Sequence, residues 1–233
     1  MSVSLAPTPY DHLLSKKRSW TPVQPGRSHV DDSVRATLGR ALALRCLELP
    51  VGDFIEAGME RGTPKAASTL LISNIADEVR HDQALQLCED AYRLAAPYEA
   101  QARQIQQAWL DAPEHPVLKA LVAERSLFFV LLPLFRFLGP AGLRTTAQDI
   151  SRDEITHVAC NTLLCNSMGL KPTEHLNRLR RATMGWILNE HRDAELPESM
   201  ARYTREFWIR QSDKLYYEGK APELQNTRRA RQV

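Results

Sequence analysis

No apolar run in this 233-residue chain reaches the ~18 residues that a membrane span requires. The longest, residues 126–138, is interrupted by Pro133 and Arg136. The first residues carry no apolar core of a secretory signal, which predicts a cytoplasmic protein with no membrane partner. Charge of one sign is also scarce: 30 Lys and Arg oppose 28 Asp and Glu, a net +2, so no nucleic-acid partner is expected. The local clusters Lys16-Lys17-Arg18 and Arg228, Arg229, Arg231 read as solvated termini. The four cysteines (Cys46, Cys88, Cys160, Cys165) include no Cys-x-x-Cys pair. All fall in predicted helices, where reduced core thiols are the ordinary state. No stretch alternates with period two, so strands are not expected and the fold class is all-α.

What the chain does have is clear helical punctuation. Residues 1–32 hold Pro7, Pro9, Pro22 and Pro25 with little apolar periodicity, and predict an extended arm. Asp32 or Ser33 can cap a helix that continues through Leu38, Leu42, Leu47 and Phe54 to about Glu60. Pro50 should kink it and Gly52 soften it. A turn at 61–64 leads, with Thr63 as cap and Pro64 at the first position, into a second helix ending near Ala96 before Pro97. A shorter helix covers 98–111, a third 116–138, and a fourth 142–168. Two more helices, 173–192 and 197–217, precede a polar tail. The predicted organisation is therefore an arm (1–32), a four-helix unit (33–170), accessory helices (171–219) and a tail (220–233). A hydrophobic fraction of 43% and a charged fraction of 25% suit a single ordinary core.

Two copies of one pattern carry the chemistry: Asp77-Glu78-Val79-Arg80-His81 and Asp153-Glu154-Ile155-Thr156-His157. Residues three apart on a helix lie about 60° apart and one turn up, so each Glu and His point the same way. A carboxylate and an imidazole converging from one face form half of a transition-metal site. Two such halves on facing helices, with one Glu from each of two further helices, make the dimetal centre of a ferritin-like four-helix bundle. A single copy would more often be a solvated face. The doubling makes metal binding the better reading.

The helix layout offers a second, independent test. In an antiparallel hairpin, residues equally far from the turn lie side by side. From the turn near Gly62, Glu78 is sixteen residues downstream and Glu48 fourteen upstream. From the turn near Pro140, Glu154 is fourteen downstream and Glu124 sixteen upstream. Glu48 and Glu124 are thus level with the two motifs. Asp53, Glu56 and Glu60 are alternatives on the first helix, but they sit nearer the turn. Glu124 is the one acidic residue between 116 and 138, among Leu121, Leu127, Phe128 and Leu131. A bound cation removes the cost of burying it there.

The candidate metal ligands are therefore Glu48, Glu78, His81, Glu124, Glu154 and His157. Asp77 and Asp153, four residues before the histidines, are expected to accept the outer ring N–H of a His on the opposite motif. Solvated surface carboxylates are the alternative for both. Cys88 and Cys160 fall close in sequence to the motif histidines. Four carboxylates and two imidazoles suit two iron ions, with manganese or a mixed pair also compatible, and such a pair can use dioxygen.

The stretch Ala123-Glu124-Arg125-Ser126-Leu127-Phe128-Phe129, then Gly139, Gly142 and Ser151-Arg152-Asp153-Glu154-Ile155-Thr156-His157, resembles the small, radical-generating subunit of class I ribonucleotide reductase. The likeness spans roughly residues 34–170 and is best over 120–168. It implies the same six ligands, with Asp153 in the family's outer aspartate position. Trp20 resembles the tryptophan that relays electrons to that family's centre, although its spacing to Glu48 is shorter; anchoring the arm is its other reading. The family's radical tyrosine, four residues after the first motif His, is here Leu85. The chain is also much shorter, and residues 225–233 lack the acidic, tyrosine-bearing tail that docks on the large subunit. These departures favour an oxidase or oxygenase acting on a small-molecule substrate with an external electron donor. A reductase-like protein without the radical tyrosine is the alternative, as is a non-enzymatic iron-binding or structural protein. A homodimer is compatible with each.

Overall fold

The computed structural model describes residues 6–189, 204–220 and 224, and among these it contains helices and turns but no strand. The α-helices are α1 (Pro9–Leu14), α2 (Asp32–Ala43), α3 (Glu48–Glu60), α4 (Ser68–Tyr92) and α5 (Glu99–Asp111). They continue with α6 (Pro116–Ala123), α7 (Phe129–Leu138), α8 (Ala141–Ser167), α9 (Glu174–Ile187) and α10 (Arg205–Glu218). Helix α3 packs on α4 and α6, α8 packs on α4, α6 and α7, and one apolar core runs between them. No helix among the described residues is long and apolar enough to cross a membrane.

The arm is not wholly extended, as the prolines had suggested. Thr8 and Asp11 form a reciprocal capping box that starts α1, with Pro9 at its first position. This helix rests on α4 and α8. Helix α2 is capped by Asp31, one residue before the expected candidates, through Ser33 N–H at 2.9 Å. Helix α4 starts later and ends earlier than expected. Residues Lys65–Ala67 form a 3-10 turn before it, and Tyr92 closes it well ahead of Pro97. The reason for the early stop is local. The Glu89 carboxylate takes the N–H groups of Leu94 and Ala95 at 2.9 and 2.8 Å, while Arg93 adopts a left-handed φ of 52°. Helix α9 closes at Ile187 rather than at residue 192, which lies outside the described residues with the expected start of the last helix.

Two long rods are broken where a proline removes a backbone donor. Pro50 cannot bond the carbonyl of Cys46, and the chain tightens into a 3-10 turn at Leu44–Leu47, with Gln106 Nε2 donating to that carbonyl at 2.6 Å instead. Pro133 likewise leaves the carbonyl of Phe129 without its helical partner. Immediately upstream lies a π-helical turn, Glu124–Phe128. Ser212 Oγ from α10 donates to the carbonyl of Ser126 within it at 2.6 Å. A π turn inserts one residue into the helical spacing and is frequent at functional positions. Both irregular turns border a candidate ligand, Glu48 and Glu124.

Helix α2 meets the turn after α4 at Gly39. A Cβ there would lie 2.4 Å from the carbonyl oxygen of Leu94 and 2.7 Å from the Tyr98 ring. Gly39→Ala should therefore destabilise the fold by about 1–2 kcal/mol, since the clash exceeds the gain in helix propensity of about 1 kcal/mol. Gly185→Ala, whose Cβ would meet only Arg205 at 3.5 Å, should be neutral or stabilising. Denaturant melts of the two variants check this. A Gly39→Ala protein as stable as the parent would mean the helices separate freely here.

Candidate metal centre

The six carboxylate and imidazole residues converge from four helical segments. Glu48 opens α3, Glu78 and His81 lie on α4, Glu124 opens the π turn, and Glu154 and His157 lie on α8. Each is no more than 1% exposed. They form two overlapping clusters, Glu48 with Glu78, His81 and Glu154, and Glu78 with Glu124 and His157. Within each cluster the potential ligand atoms lie within 4.8 Å of one another. Asp53, Glu56 and Glu60, the alternatives on the first helix, are exposed and take no part.

The distances reveal two ends and a shared middle. His81 Nδ1 lies 3.3 Å from Glu154 Oε1, 3.6 Å from Glu78 Oε2 and 3.7 Å from Glu48 Oε2. His157 Nδ1 lies 2.9 Å from Glu78 Oε1, 3.7 Å from Glu154 Oε1 and 3.8 Å from Glu124 Oε1. Glu78 therefore directs one oxygen toward each imidazole, and one Glu154 oxygen lies between them. Glu48 belongs to the His81 end and Glu124 to the His157 end. The imidazole centroids are 5.6 Å apart.

The polar atoms facing this centre are buried and have no partner outside the cluster. They are Glu48 Oε2, both oxygens of Glu78 and of Glu154, Glu124 Oε1, and Nδ1 of His81 and His157. Buried polar atoms are ordinarily satisfied, so a cluster of eight needs a cause. The opposite ring nitrogens are held: His81 Nε2 meets Asp153 Oδ2 at 3.2 Å and His157 Nε2 meets Asp77 Oδ2 at 3.0 Å. Each aspartate thus serves the histidine of the other motif. With the proton on Nε2, each Nδ1 lone pair is aimed at the carboxylates. This donor set fits a divalent metal at each end.

An outer layer holds the aspartates in turn. Trp20 Nε1 donates to Asp153 Oδ2 at 2.7 Å, and its ring stacks on His81 with centroids 6.2 Å apart. Lys17 from the same arm pairs with Asp77 and donates to Asn74 Oδ1 at 2.8 Å. Arg80 bridges both aspartates, pairing with Asp77 and reaching Asp153 at 3.0 Å. Its guanidinium lies over the Trp20 ring at 5.1 Å. The arm therefore clamps both halves of the site, one residue to each aspartate. Near Glu124, Asn161 Nδ2 donates to Oε2 at 2.7 Å.

Without metal, protons must balance this buried charge. Burial pushes the Glu48 and Glu124 carboxyls well above their usual range, reinforced by neighbouring carboxylates; Glu154 is also raised, chiefly by burial. Burial opposes charge on His157, but Glu78 and Glu154 outweigh it and raise the imidazole to about 10. His81 is raised in the same sense against burial, by Asp153 and the surrounding glutamates. Glu78, pressed between the two histidines, falls to about 2 despite its burial. The cysteines stay outside the centre. Cys88 Sγ donates to Thr146 at 3.4 Å, and burial, then Glu124, pushes the Cys160 thiol to about 12.

Four contributors escaped the sequence reading. Arg80 was visible inside the motif, three residues after Asp77. Asn161 was visible as a polar residue four after His157, the position that Leu85 fills after His81. Lys17 and Asn74 had no local signal, since arm and helix meet only in the folded chain. No family model, curated protein or solved structure matches the chain.

Asp153→Asn should keep the helices but weaken the hold on the His81 imidazole. Divalent-metal affinity is expected to fall about 10–100-fold, the usual worth of such a partner. Asp77→Asn should behave alike. Competition with a chelating dye reads the affinity, and wild-type values in both variants would sink the outer-layer role.

Proposed function

We propose that the chain is a ferritin-like dimetal carboxylate protein whose centre binds two iron ions and serves a dioxygen-dependent oxidase or oxygenase. The observation that carries this reading is the set of eight buried ligand atoms that face only one another, arranged in two ends around a shared pair of carboxylates. Glu48 and His81 would hold one ion, Glu124 and His157 the other, with Glu78 and Glu154 between them. When bound, such a pair supplies the reduction of dioxygen. For a hydroxylation the electrons balance as substrate, dioxygen, two electrons and two protons giving alcohol and water, so an external donor is required. The apolar wall of Leu127, Phe128 and Leu131, all at most 4% exposed, excludes water from an oxidising centre. The outer aspartates hold the imidazoles in one tautomer, and the π turn begins at Glu124 itself.

The test is anaerobic ferrous loading of metal-free protein followed by exposure to dioxygen, read by optical and Mössbauer spectroscopy. Oxidation of both ions to a coupled ferric pair is expected. Iron that stays ferrous would remove the oxidase reading and leave an iron-binding or structural role. Manganese, or a mixed pair, is read by the same loading with the metals supplied together.

One observation favours the reductase-like alternative: Trp20, Asp153 and His81 form a hydrogen-bonded line from the arm to the centre. Leu85 remains the departure, buried at 2% where that family bears its radical tyrosine. Wild-type protein should therefore show no stable tyrosyl signal by electron paramagnetic resonance after iron loading and oxygenation. Leu85→Tyr, one turn beyond His81, should yield a tyrosyl radical or a hydroxylated residue. An unmodified phenol after repeated turnover would mean that no strong oxidant forms. Binding to a large catalytic subunit would separate the two readings.

A further inference from the structure

On the outer side of α8, away from the carboxylate cluster, a cavity of about 560 Å³ lies between α7, α8 and the end of α10. Its volume is that of a site for a small organic molecule. Phe129, Leu132 and Ile155 provide an apolar wall, while Arg125, Arg136 and Lys220 provide positive charge. No acidic residue is among the described residues lining it. Ile155 is 56% exposed, although the helix that carries it also carries the fully buried Glu154 and His157. Arg125 donates from Nη2 to the carbonyl of Tyr216 at 3.2 Å, and its Nε is buried without a partner. Its guanidinium, a group of five N–H donors, thus lies beside an apolar surface.

An apolar wall that carries Arg125 and Lys220, with no acidic group among its described lining residues, selects a molecule with negative charge on an apolar body. Guanidinium groups favour planar oxyanions, which they hold through paired hydrogen bonds. Water displaced from the wall favours the apolar part. We propose that this groove binds a small amphipathic carboxylate, an acyl or aryl acid with its head group toward Arg125 and Lys220. The π turn links the groove to the centre. Glu124 and Arg125 are consecutive within it, one facing the metal cluster and the other lining the groove.

The proposal is tested on the full-length, metal-free protein, so it stands or falls independently of the iron chemistry. Isothermal titration at low salt uses decanoate and 2-naphthoate as probes, with decanol and acetate as controls. Saturable one-site binding of either acid is expected, at least roughly tenfold tighter than decanol, with acetate undetectable. Ile155→Glu places a like charge in the groove at an exposed position, and Lys220→Gln removes an exposed cation. The first should weaken binding roughly tenfold or more and the second roughly threefold, with unchanged far-ultraviolet helicity. Absence of saturable binding by both acids overturns the proposal. So does decanol binding as tightly as decanoate, or wild-type affinity in both variants.

Discussion

Glu48→Leu should stabilise the metal-free protein while emptying one end of the centre. The Glu48 carboxyl is 1% exposed, its Oε2 has no hydrogen-bond partner, and burial holds it protonated. Leucine has a similar volume and no group to desolvate. Removing a neutral buried polar group that lacks a hydrogen bond relieves a desolvation penalty of about 1–3 kcal/mol, and a gain of about 1–2 kcal/mol is expected here. Metal content after anaerobic loading should fall from about two ions per chain to about one. Glu124→Ala should also lose an ion, but with the opposite effect on the metal-free fold. Its Oε2 accepts Asn161, and stranding that buried amide costs about 1–3 kcal/mol. Elemental analysis and denaturant melts of both variants decide the matter. Two ions retained in each would mean the ligand set is wrong. A destabilised Glu48→Leu apoprotein would mean that Glu48 has a structural partner. The expected divergence is a direct trade of stability for a binding site.

Metal loading should release protons and tighten steeply with pH. His157 carries a proton up to about 10 in the folded chain, against an ordinary value of 6.5. A raised imidazole contributes stability that is fully present below 6.5 and lost as pH rises through about 10. Glu48 and Glu124, also raised, add a penalty as pH climbs above 4.5, because the unfolded chain ionises them freely. Glu78 works the other way: its depressed value contributes stability above 4.5 that is lost as pH falls through about 2. The metal-free protein should therefore weaken steadily between 6.5 and about 10. A metal at each Nδ1 must displace a proton, so loading of both ends should release about two protons from the imidazoles, with any carboxyl protons in addition. The product of the two affinities should rise at least about tenfold per pH unit in this window through His157 alone. The rise is steeper wherever His81 and the raised carboxyls still hold protons. Titration calorimetry in buffers of different ionisation heat measures the release. Equal heats in all buffers would show that the imidazoles are already neutral.

The all-helical class and the convergence of six residues were legible because both rest on short-range rules. Carboxylate and imidazole three residues apart share a helix face whatever the rest of the chain does. Hairpin arms of nearly equal length, fourteen and sixteen residues, put Glu48 and Glu124 level with the motifs through the constant rise of a helix. The crossing of Asp77 to His157 and Asp153 to His81 follows from the same doubling, since each aspartate lies beside the facing helix.

What the tertiary structure decided was less local. Proline at 50 announced a kink, yet a 3-10 turn formed upstream at Leu44–Leu47, where the carbonyl left without a partner could find Gln106. The π turn at Glu124–Phe128 depends on Ser212, 86 residues away, to receive a hydrogen bond from its hydroxyl at the Ser126 carbonyl. Lys17 and Trp20 acquire meaning only because the arm folds back across α4 and α8 and brings a cation and an indole N–H to the two aspartates. A period in sequence specifies which residues share a face. The partner that satisfies a buried polar atom is chosen by which segments of the chain can approach it once the core has closed.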